Sequence, residues 1–205
     1  MDNQTSAITE HRDDTGAKLG MWIFIFTELL LFGGLFLVYA VFRAKYSQDF
    51  HIAAFQLNVF MGALNTAILL ISSMTVAMSV TAIQKNDKRL ALLLLSITLA
   101  LAGAFLFNKY LEWGGKIHHQ LYPGSDVVMS LKHGQILFFG LYYFMTGLHA
   151  LHIVIGMILL MYIAYSVAKG KTNQSNYVLL ENGGLYWHLV DLIWIFLFPL
   201  LYLIT

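Results

Sequence analysis

Residues 146–152 (TGLHALH) and 186–191 (YWHLVD) decide how the rest of this sequence is interpreted. Each stretch places titratable side chains inside a long run of apolar residues. Burying an ionisable group in hydrocarbon costs free energy, so such a group within a membrane-spanning segment is by default a functional hypothesis. The two stretches therefore predict a membrane protein with a polar interior.

The composition agrees with a membrane protein and excludes several kinds of site. Hydrophobic residues make up 59% of the 205 residues, charged residues make up 11%, and the net charge is +1. This charge provides no field that would attract nucleic acid, so no nucleic-acid partner is expected. The chain has no cysteine, which excludes disulfides, iron–sulfur clusters, thiolate copper sites and covalently attached haem. A redox centre would have to use histidine or methionine ligands.

Five apolar runs are long enough to cross a bilayer. At 1.5 Å per residue, a run of ~24 residues makes a helix of ~36 Å, which exceeds the ~30 Å hydrocarbon layer. We therefore predict an all-α integral membrane bundle of five transmembrane helices over residues 17–205, preceded by a polar N-terminal arm at residues 1–16. A polar loop at 114–132 and a polar connector at 169–182 separate the last three runs. The runs cover residues 19–42, 57–83, 90–113, 133–168 and 184–204.

An odd number of spans places the two termini on opposite sides of the membrane. Lys and Arg residues number seven on the N-terminal side and five on the other side. Because positive residues collect on the cytoplasmic side, we expect the N-terminus in the cytoplasm and the C-terminus outside. The first residues lack a basic segment that leads into a short apolar core, so a cleaved signal peptide is not expected.

Glu28 is the single charged residue of the first apolar run. It lies ten residues beyond Lys18, so about 15 Å along the helix and near the bilayer centre. A charged side chain there costs ~2.5–3.5 kcal/mol, and a carboxyl avoids much of this cost by staying protonated. Two interpretations remain open. Glu28 is either a proton-relay group or polar anchor that faces a cavity or lipid, or a structural carboxyl bonded to a neighbouring helix.

Two pairs of titratable residues share a helix face. His149 and His152 are three residues apart on the fourth helix, and two imidazoles at this spacing can bind a metal or haem iron, with His188 as a further ligand. His188 lies much closer to the cytoplasmic end of its helix than His152 does, so these residues match one metal site poorly. His188 and Asp191 are also three apart, and we expect them to bond to each other or to the same neighbour.

Glu112 ends the third run between Lys109 and Lys116. A carboxylate in this position can extend to the membrane interface and pair with a lysine there. In the second run, Asn65 is expected to hydrogen-bond across helices.

The order of these motifs resembles subunit III of the haem–copper oxidases. Residues 146–156 (TGLHALHIVIG) are followed by Glu181 and by residues 186–194 (YWHLVDLIW). Residues 22–28 (WIFIFTE), residues 64–66 (LNT) and Glu112 match motifs of that family in the same order. The similarity extends from about residue 19 to the C-terminus. The chain resembles the five-helix bacterial members of this family, which lack the first two helices of the seven-helix members.

This resemblance implies a non-catalytic subunit of an oxidase that reduces oxygen to water in the bacterial inner membrane. The haem and copper of such an oxidase belong to partner subunits, the catalytic subunit I and subunit II, so phospholipid is the one ligand expected here. A subunit III of this family stabilises subunit I, supports proton uptake and binds lipid, and the resemblance implies the same roles here. The implied lipid-binding residues are Glu28, His152 and Lys169, the last because the family's lipid-contacting arginine falls on Ser166. The implied buried polar residues, with proton-supply or structural roles, are Glu28, Glu112, His149, Glu181, His188 and Asp191.

Three other functions remain open from the sequence. A subunit III-like protein of a nitric oxide reductase has a similar five-helix layout. A b-type cytochrome would use His149 or His152 together with His188 as haem ligands. A proton-coupled transporter would use Glu28 and Asp191, although the sequence lacks the repeat symmetry that is common in transporters. The electron donor of an oxidase, cytochrome c or quinol, is also open, because the donor site lies in another subunit.

Overall fold

The computed structural model describes residues 13–204. Over these residues the chain is all α, with five long helices and two short ones. The long helices have the length and hydropathy needed to cross a membrane, which confirms the predicted five-helix bundle. Residues 1–12 of the predicted polar arm lie outside the described residues, and residues 14–16 form the first turn of the first helix. The helices are α1 (Asp14–Lys45), α2 (Ser47–Ala54), α3 (Val59–Gln84), α4 (Lys88–His118), α5 (Asp126–Met129), α6 (His133–Ala168) and α7 (Val178–Tyr202).

Polar caps explain where three of the long helices begin. Asp13, Asn58 and Asp87 each accept a hydrogen bond from the backbone N–H three residues ahead, at 2.7, 3.1 and 3.0 Å. Each cap satisfies an N–H group that has no partner within its own helix. Because these residues directly precede apolar runs, the starts of α1, α3 and α4 follow from the local sequence.

The long helices alternate in direction, so the bundle has two ends. The N-terminal end holds the start of α1, the α3–α4 turn and the α6–α7 connector, and the C-terminal end holds the other connections and the end of α7. An ion pair of 2.9 Å joins Lys18 to Glu181 at the N-terminal end. Lys132 and Asp49 lie 4.0 Å apart at the C-terminal end. The two ends of the described chain are therefore on opposite sides of the bundle, as five spans require.

Helix α7 is the central helix of the bundle and α1 is the most peripheral. In the most apolar part of each helix, 56% of α7 and 6% of α1 is buried within the chain. Helix α7 packs against α1, α3 and α6, while α3 and α4 form the most extensive helix pair. Most of the surface of α1 is therefore left for lipid or for another chain.

Two helices extend into stretches that are predicted to be a polar loop or connector. Helix α7 begins at Val178, inside the predicted polar connector, because Leu180 is fully buried in the core. Helix α4 continues to residue 118, inside the predicted loop, because Lys116 turns inwards and donates a hydrogen bond to the carbonyl of Gln56 at 3.1 Å. In both cases tertiary contacts extend a helix into a stretch that is polar in composition.

The sequence pattern does not predict the short helix α2. This helix packs against α6 through Phe50, whose ring meets that of Phe138 edge to face with the centroids 5.5 Å apart. Phe50 has no exposed surface. Helix α2 is therefore held by the bundle rather than by its own eight residues, which are too few to be stable alone.

Helices α6 and α7 approach each other closely at Gly156. A Cβ atom at this position would lie 2.8 Å from Cζ3 of Trp187 and 2.9 Å from Cε1 of Tyr186. Both rings are buried, and the Tyr186 hydroxyl donates to the carbonyl of His152 at 3.0 Å. Since the rings are held in place, Gly156 sets the distance between the helices that carry the two motifs.

Gly156→Ala is expected to destabilise the purified protein by about 1–3 kcal/mol, because the added methyl group overpacks this aromatic contact. Gly140→Ala in the same helix is the control, since a Cβ there meets no atom within 4 Å and alanine favours a helix over glycine by about 1 kcal/mol. Thermal unfolding in detergent measures both variants. Equal stability of the two would contradict the close approach at Gly156.

Candidate functional site

Apart from smaller interhelical pairs, such as Asn65 of α3 with Asn108 of α4, three groups of polar side chains inside the bundle include titratable residues, and each group joins different helices. The Lys109 cluster joins α4, α6 and α7, the Glu28–His152 pair joins α1 and α6, and the His188 triad joins α7 and α3. The members are Lys109, Glu112, Tyr142 and Tyr202 in the first group, Glu28 and His152 in the second, and His188, Ser73 and Asp191 in the third.

The Lys109 cluster is a closed network of buried hydrogen bonds. Lys109 Nζ donates to Glu112 Oε2 at 2.9 Å and to the Tyr202 hydroxyl at 2.8 Å. The hydroxyls of Tyr142 and Tyr202 donate to Glu112 Oε1 at 2.7 and 2.8 Å. Lys109 Nζ also lies 5.2 Å from the centre of the Trp194 ring, a favourable cation–π distance. This set of bonds compensates two charges that would otherwise be costly to bury.

The expected pairing of Glu112 with a lysine is confirmed. The pair lies inside the bundle and does not extend outwards, since the side chains of Lys109 and Glu112 are 3% and 4% exposed. The residues lie three apart on α4, so both point into the bundle. The tyrosine hydroxyls from α6 and α7 make this burial possible, and a reading of α4 alone does not reveal them.

The Glu28–His152 pair lies between α1 and α6. Oε2 of Glu28 is 3.0 Å from Nε2 of His152, and the side chains are 14% and 10% exposed. Nδ1 of His152 lies 2.8 Å from the carbonyl of Leu148, to which it can donate. The ring is not aligned for a straight hydrogen bond to Oε2, and that oxygen has no other partner within residues 13–204. The two side chains are therefore close but do not form a well-aligned hydrogen bond.

His149 faces away from this pair. Its ring is fully buried, with centroids 5.6 Å from Phe105 and 5.1 Å from Trp194. Neither ring nitrogen meets a hydrogen-bond partner in the described part of the chain. Although His149 and His152 lie on the buried side of the same helix, the first contacts α4 and α7 and the second contacts α1.

The His188 triad joins the middle of α7 to the middle of α3. The Ser73 hydroxyl lies 2.6 Å from Nδ1 of His188. The carboxyl of Asp191 is 3% exposed and lies beside the same hydroxyl, without a well-formed hydrogen bond to it. Of the two expected arrangements, the structure therefore has the shared neighbour, which is Ser73.

Glu181 and Lys169 lie at the N-terminal end of the bundle, away from these groups. The side chain of Glu181 is 35% exposed in its pair with Lys18, so this carboxyl is only partly buried. Lys169 Nζ lies over the Tyr165 ring, 5.6 Å from its centre. Lys169 follows His152 by 17 residues, so it is about 26 Å away along α6. The three residues expected to bind lipid do not form one site.

The histidines considered as haem or metal ligands contact different neighbours. His149 lies among aromatic rings, His152 lies against Glu28 and His188 against Ser73. Within residues 13–204 no three His, Asp or Glu side chains are grouped so that they could share a metal ion. The geometry therefore offers no support for the b-type cytochrome, which needs His188 beside His149 or His152.

Sequence reasoning missed the tyrosines of the Lys109 cluster and Ser73. Tyr142 precedes His149 by seven residues, which places both on the same side of α6, so helical periodicity could have identified it. The sequence around Tyr202 and Ser73 gives no comparable signal. Each residue is recognised as part of a polar group only from its contact with a side chain of another helix.

Comparisons with known proteins give one consistent result. A family model described as cytochrome c oxidase subunit III matches residues 4–205. A cytochrome c oxidase subunit 3 from Thermostichus vulcanus is 33% identical over 188 residues, which cover 91% of this chain and 87% of that protein. A probable quinol oxidase subunit 3 from Staphylococcus saprophyticus is 27% identical over 189 residues, which cover 91% of this chain and 88% of that protein.

A further relative is a haem–copper oxidase subunit I+III from Aeropyrum pernix. It is 30% identical over 194 residues, which cover 91% of this chain and 22% of that longer protein. By its name, that protein carries the counterparts of subunits I and III in a single chain.

Glu112→Gln is expected to destabilise the protein by about 3–5 kcal/mol, because Lys109 then stays buried without a charged partner. The double variant Lys109→Met, Glu112→Gln should recover most of this loss, since it removes both charges. Unfolding in detergent measures the cycle, and Lys18→Met at the exposed pair is the control with little expected change. Losses that simply add in the double variant would show that the two side chains are not coupled.

Proposed function

The chain belongs to the cytochrome c oxidase subunit III family, and from this premise we propose that it stabilises the catalytic subunit, supports proton uptake and binds phospholipid without a catalytic centre of its own. As a subunit III of a haem–copper terminal oxidase, it is a multi-pass membrane protein that associates with the catalytic oxidase subunits. The relatives above are named as oxidase subunits, which does not favour the nitric oxide reductase alternative.

The stabilising role is supported by the surface of the bundle and by the fused relative. Helix α1 is almost entirely uncovered within the chain and is apolar, with Trp22, Phe26 and Leu30 each about 60% exposed. A protein named subunit I+III joins the counterparts of both subunits in one chain. We propose that this chain covers part of the lipid-facing surface of subunit I. Together with subunit II, it thereby helps subunit I to keep its native structure.

The Glu28–His152 pair is the observation that carries the proton-uptake proposal. A carboxyl and an imidazole 3.0 Å apart can share one proton in two ways, as a neutral acid beside a neutral ring or as a carboxylate beside an imidazolium. The pair is neutral in both states, so it can hold a proton near the bilayer centre at low cost. Because it lies at the edge of the bundle under α1, it can exchange that proton with a group of a neighbouring subunit.

Phospholipid binding is proposed at two depths of the membrane. Lys169 lies at the N-terminal end of the bundle, where a positive point charge can meet a lipid phosphate. Glu28 and His152 lie about 26 Å deeper, so they line the region of the acyl chains and do not contact the same headgroup. Glu112, His149 and Asp191 are buried and take structural roles in this proposal.

The remaining parts of the proposal concern cofactors and location. Haem and copper belong to the partner subunits, in line with the separation of the histidines of this chain. The complex lies in a bacterial inner membrane, with the N-terminus of this chain in the cytoplasm. Either cytochrome c or quinol is compatible as the electron donor, since relatives of both kinds of oxidase are similar over the same length.

Purification through a tag on this chain in mild detergent tests the proposal. We expect haem–copper subunits and phospholipid to co-purify, identified by mass spectrometry and by a reduced-minus-oxidised optical spectrum. A chain that purifies alone with a haem spectrum would instead support a b-type cytochrome, and one that purifies alone and colourless would support a transporter.

Glu28→Gln is expected to leave the complex assembled but to shorten its activity during turnover. The amide has the shape of the carboxyl and can still bond to His152, but it cannot exchange a proton. Oxygen consumption over many turnovers measures the effect, and Asp126→Asn in the exposed α4–α6 loop is the matched control. Sustained activity identical to that of the control would assign Glu28 a structural role only.

Glu28→Ala is expected to weaken the assembled subunit as well. It leaves the ring of His152 without its partner, which costs about 1–3 kcal/mol for a buried polar group. Comparison of the Ala and Gln variants in thermal unfolding therefore separates packing from proton exchange. Equal stability of the two would show that the 3.0 Å contact contributes little.

A further inference from the structure

One face of α7 is not covered by any other helix of the described chain. Leu192 and Ile195 are 44% and 42% exposed although α7 is the central helix. Residues 188, 192, 195 and 199 follow one another at helical spacing and so lie on one face. Helices α1 and α3 both pack against α7 beside this face: Phe36 of α1 contacts Phe196, and Ser73 of α3 contacts His188. We call the resulting space the α7 groove, with α7 as its floor and α1 and α3 as its walls.

His188 lies on the floor of the α7 groove, near the middle of the membrane. It is ten residues from the start of α7 and fourteen from its end, so about 15 and 21 Å from the two ends. Its Nδ1 is engaged by Ser73 of the α3 wall at 2.6 Å. Its Nε2 makes no hydrogen bond within residues 13–204, and the ring is half-buried, so this nitrogen is reachable from the groove.

This position restricts what can occupy the groove. Acyl chains offer no hydrogen-bonding group, and a polar group that faces them unpaired is unfavourable at this depth. A phospholipid headgroup cannot reach a nitrogen that lies about 15 Å from the nearer helix end. Polar residues at this depth normally pair with a neighbouring helix. The occupant that satisfies His188 is therefore a protein helix with a polar side chain at mid-depth.

The wall formed by α1 also leaves space for side chains of such a helix. A cavity of ≈ 180 Å³ lies between α1 and α7 and is lined by apolar residues that include Leu29, Gly33, Phe36 and Leu192. Gly33 has no atom within 4 Å of the place where a Cβ would stand. A volume of this size is suited to one or two apolar side chains of a neighbouring helix.

We propose that a transmembrane helix of the catalytic subunit packs in the α7 groove and that one of its polar side chains hydrogen-bonds to Nε2 of His188. The inference rests on the proposed function only in that this chain associates with a catalytic subunit. It adds the face that binds, the residue at the centre of that face and the chemistry of the partner side chain. Within this chain, the Ser73 hydroxyl occupies Nδ1 of the ring, so Nε2 is the nitrogen left for a partner in the groove.

Photo-crosslinking in the intact complex tests which face binds. The photoreactive residue p-benzoylphenylalanine is placed at Leu192 and at Ile195, and as controls at Leu93 of α4 and Ile158 of α6, which are 58% and 59% exposed on other faces. We expect crosslinks to the catalytic subunit from the two groove positions and not from the controls. Crosslinks to lipid alone from the groove, or to the catalytic subunit from the controls alone, would overturn the inference.

The same experiment separates this inference from the proposed function. If the tagged chain co-purifies with a catalytic subunit but the groove positions do not crosslink to it, the function stands and the inference fails. If no catalytic subunit co-purifies, both fail.

A pair of substitutions at His188 tests the hydrogen bond. His188→Gln keeps a polar atom near the position of Nε2, whereas His188→Asn keeps one near Nδ1 and removes Nε2. We expect His188→Asn to raise the fraction of complexes that lose the catalytic subunit in detergent by about three- to twentyfold, the range of interhelical hydrogen bonds in membranes. His188→Gln should stay near the unsubstituted complex.

Ser73→Ala tests whether His188 acts only within this chain. It removes the contact between Ser73 and Nδ1 of His188 and leaves Nε2 in place. Immunoblotting of membranes shows whether each variant is present at normal abundance. If His188→Gln and Ser73→Ala dissociate as readily as His188→Asn, the ring acts inside this chain and the proposed contact is wrong.

Discussion

The absence of hydrogen-bonding groups in lipid is the constraint on which this structure depends. Every polar side chain within the spans must find a partner inside the protein or in a neighbouring subunit. The Lys109 cluster satisfies this condition completely, since a lysine, a glutamate and two tyrosines bond to one another between three helices. The cluster thereby fixes how α4, α6 and α7 meet at the C-terminal end of the bundle.

The three polar groups differ in how completely they are satisfied, and this difference separates structure from function. The Lys109 cluster is closed and is explained by packing alone. The Glu28–His152 pair is short but poorly aligned and lies under a helix that is almost uncovered. In the His188 triad, Nε2 of the ring has no hydrogen-bond partner among residues 13–204 and faces the α7 groove. The incomplete groups lie at the edges of the bundle, where an oxidase subunit meets its partners.

Much of the fold follows from the sequence because helix length and polarity are local properties. Five apolar runs and an odd number of spans predict the helices and their directions. The differences occur where contacts between distant residues override local composition. Leu180 draws a polar connector into α7, and the tyrosines of α6 and α7 surround Glu112 although it stands near the end of its run. Glu181 is only partly buried, because it reaches Lys18 at the end of the bundle.

The sequence by itself determined the membrane class, the number of spans, the family and which apolar runs carry titratable residues. These depend on hydropathy and on residue order along a single chain. The tertiary structure alone decided the partner of each of those residues: Glu28 with His152, Glu112 with Lys109, and His188 with Ser73. Helical periodicity predicts which side chains share a helix face, but it does not predict which other helix packs against that face. That choice is made by the packing of all five spans at once.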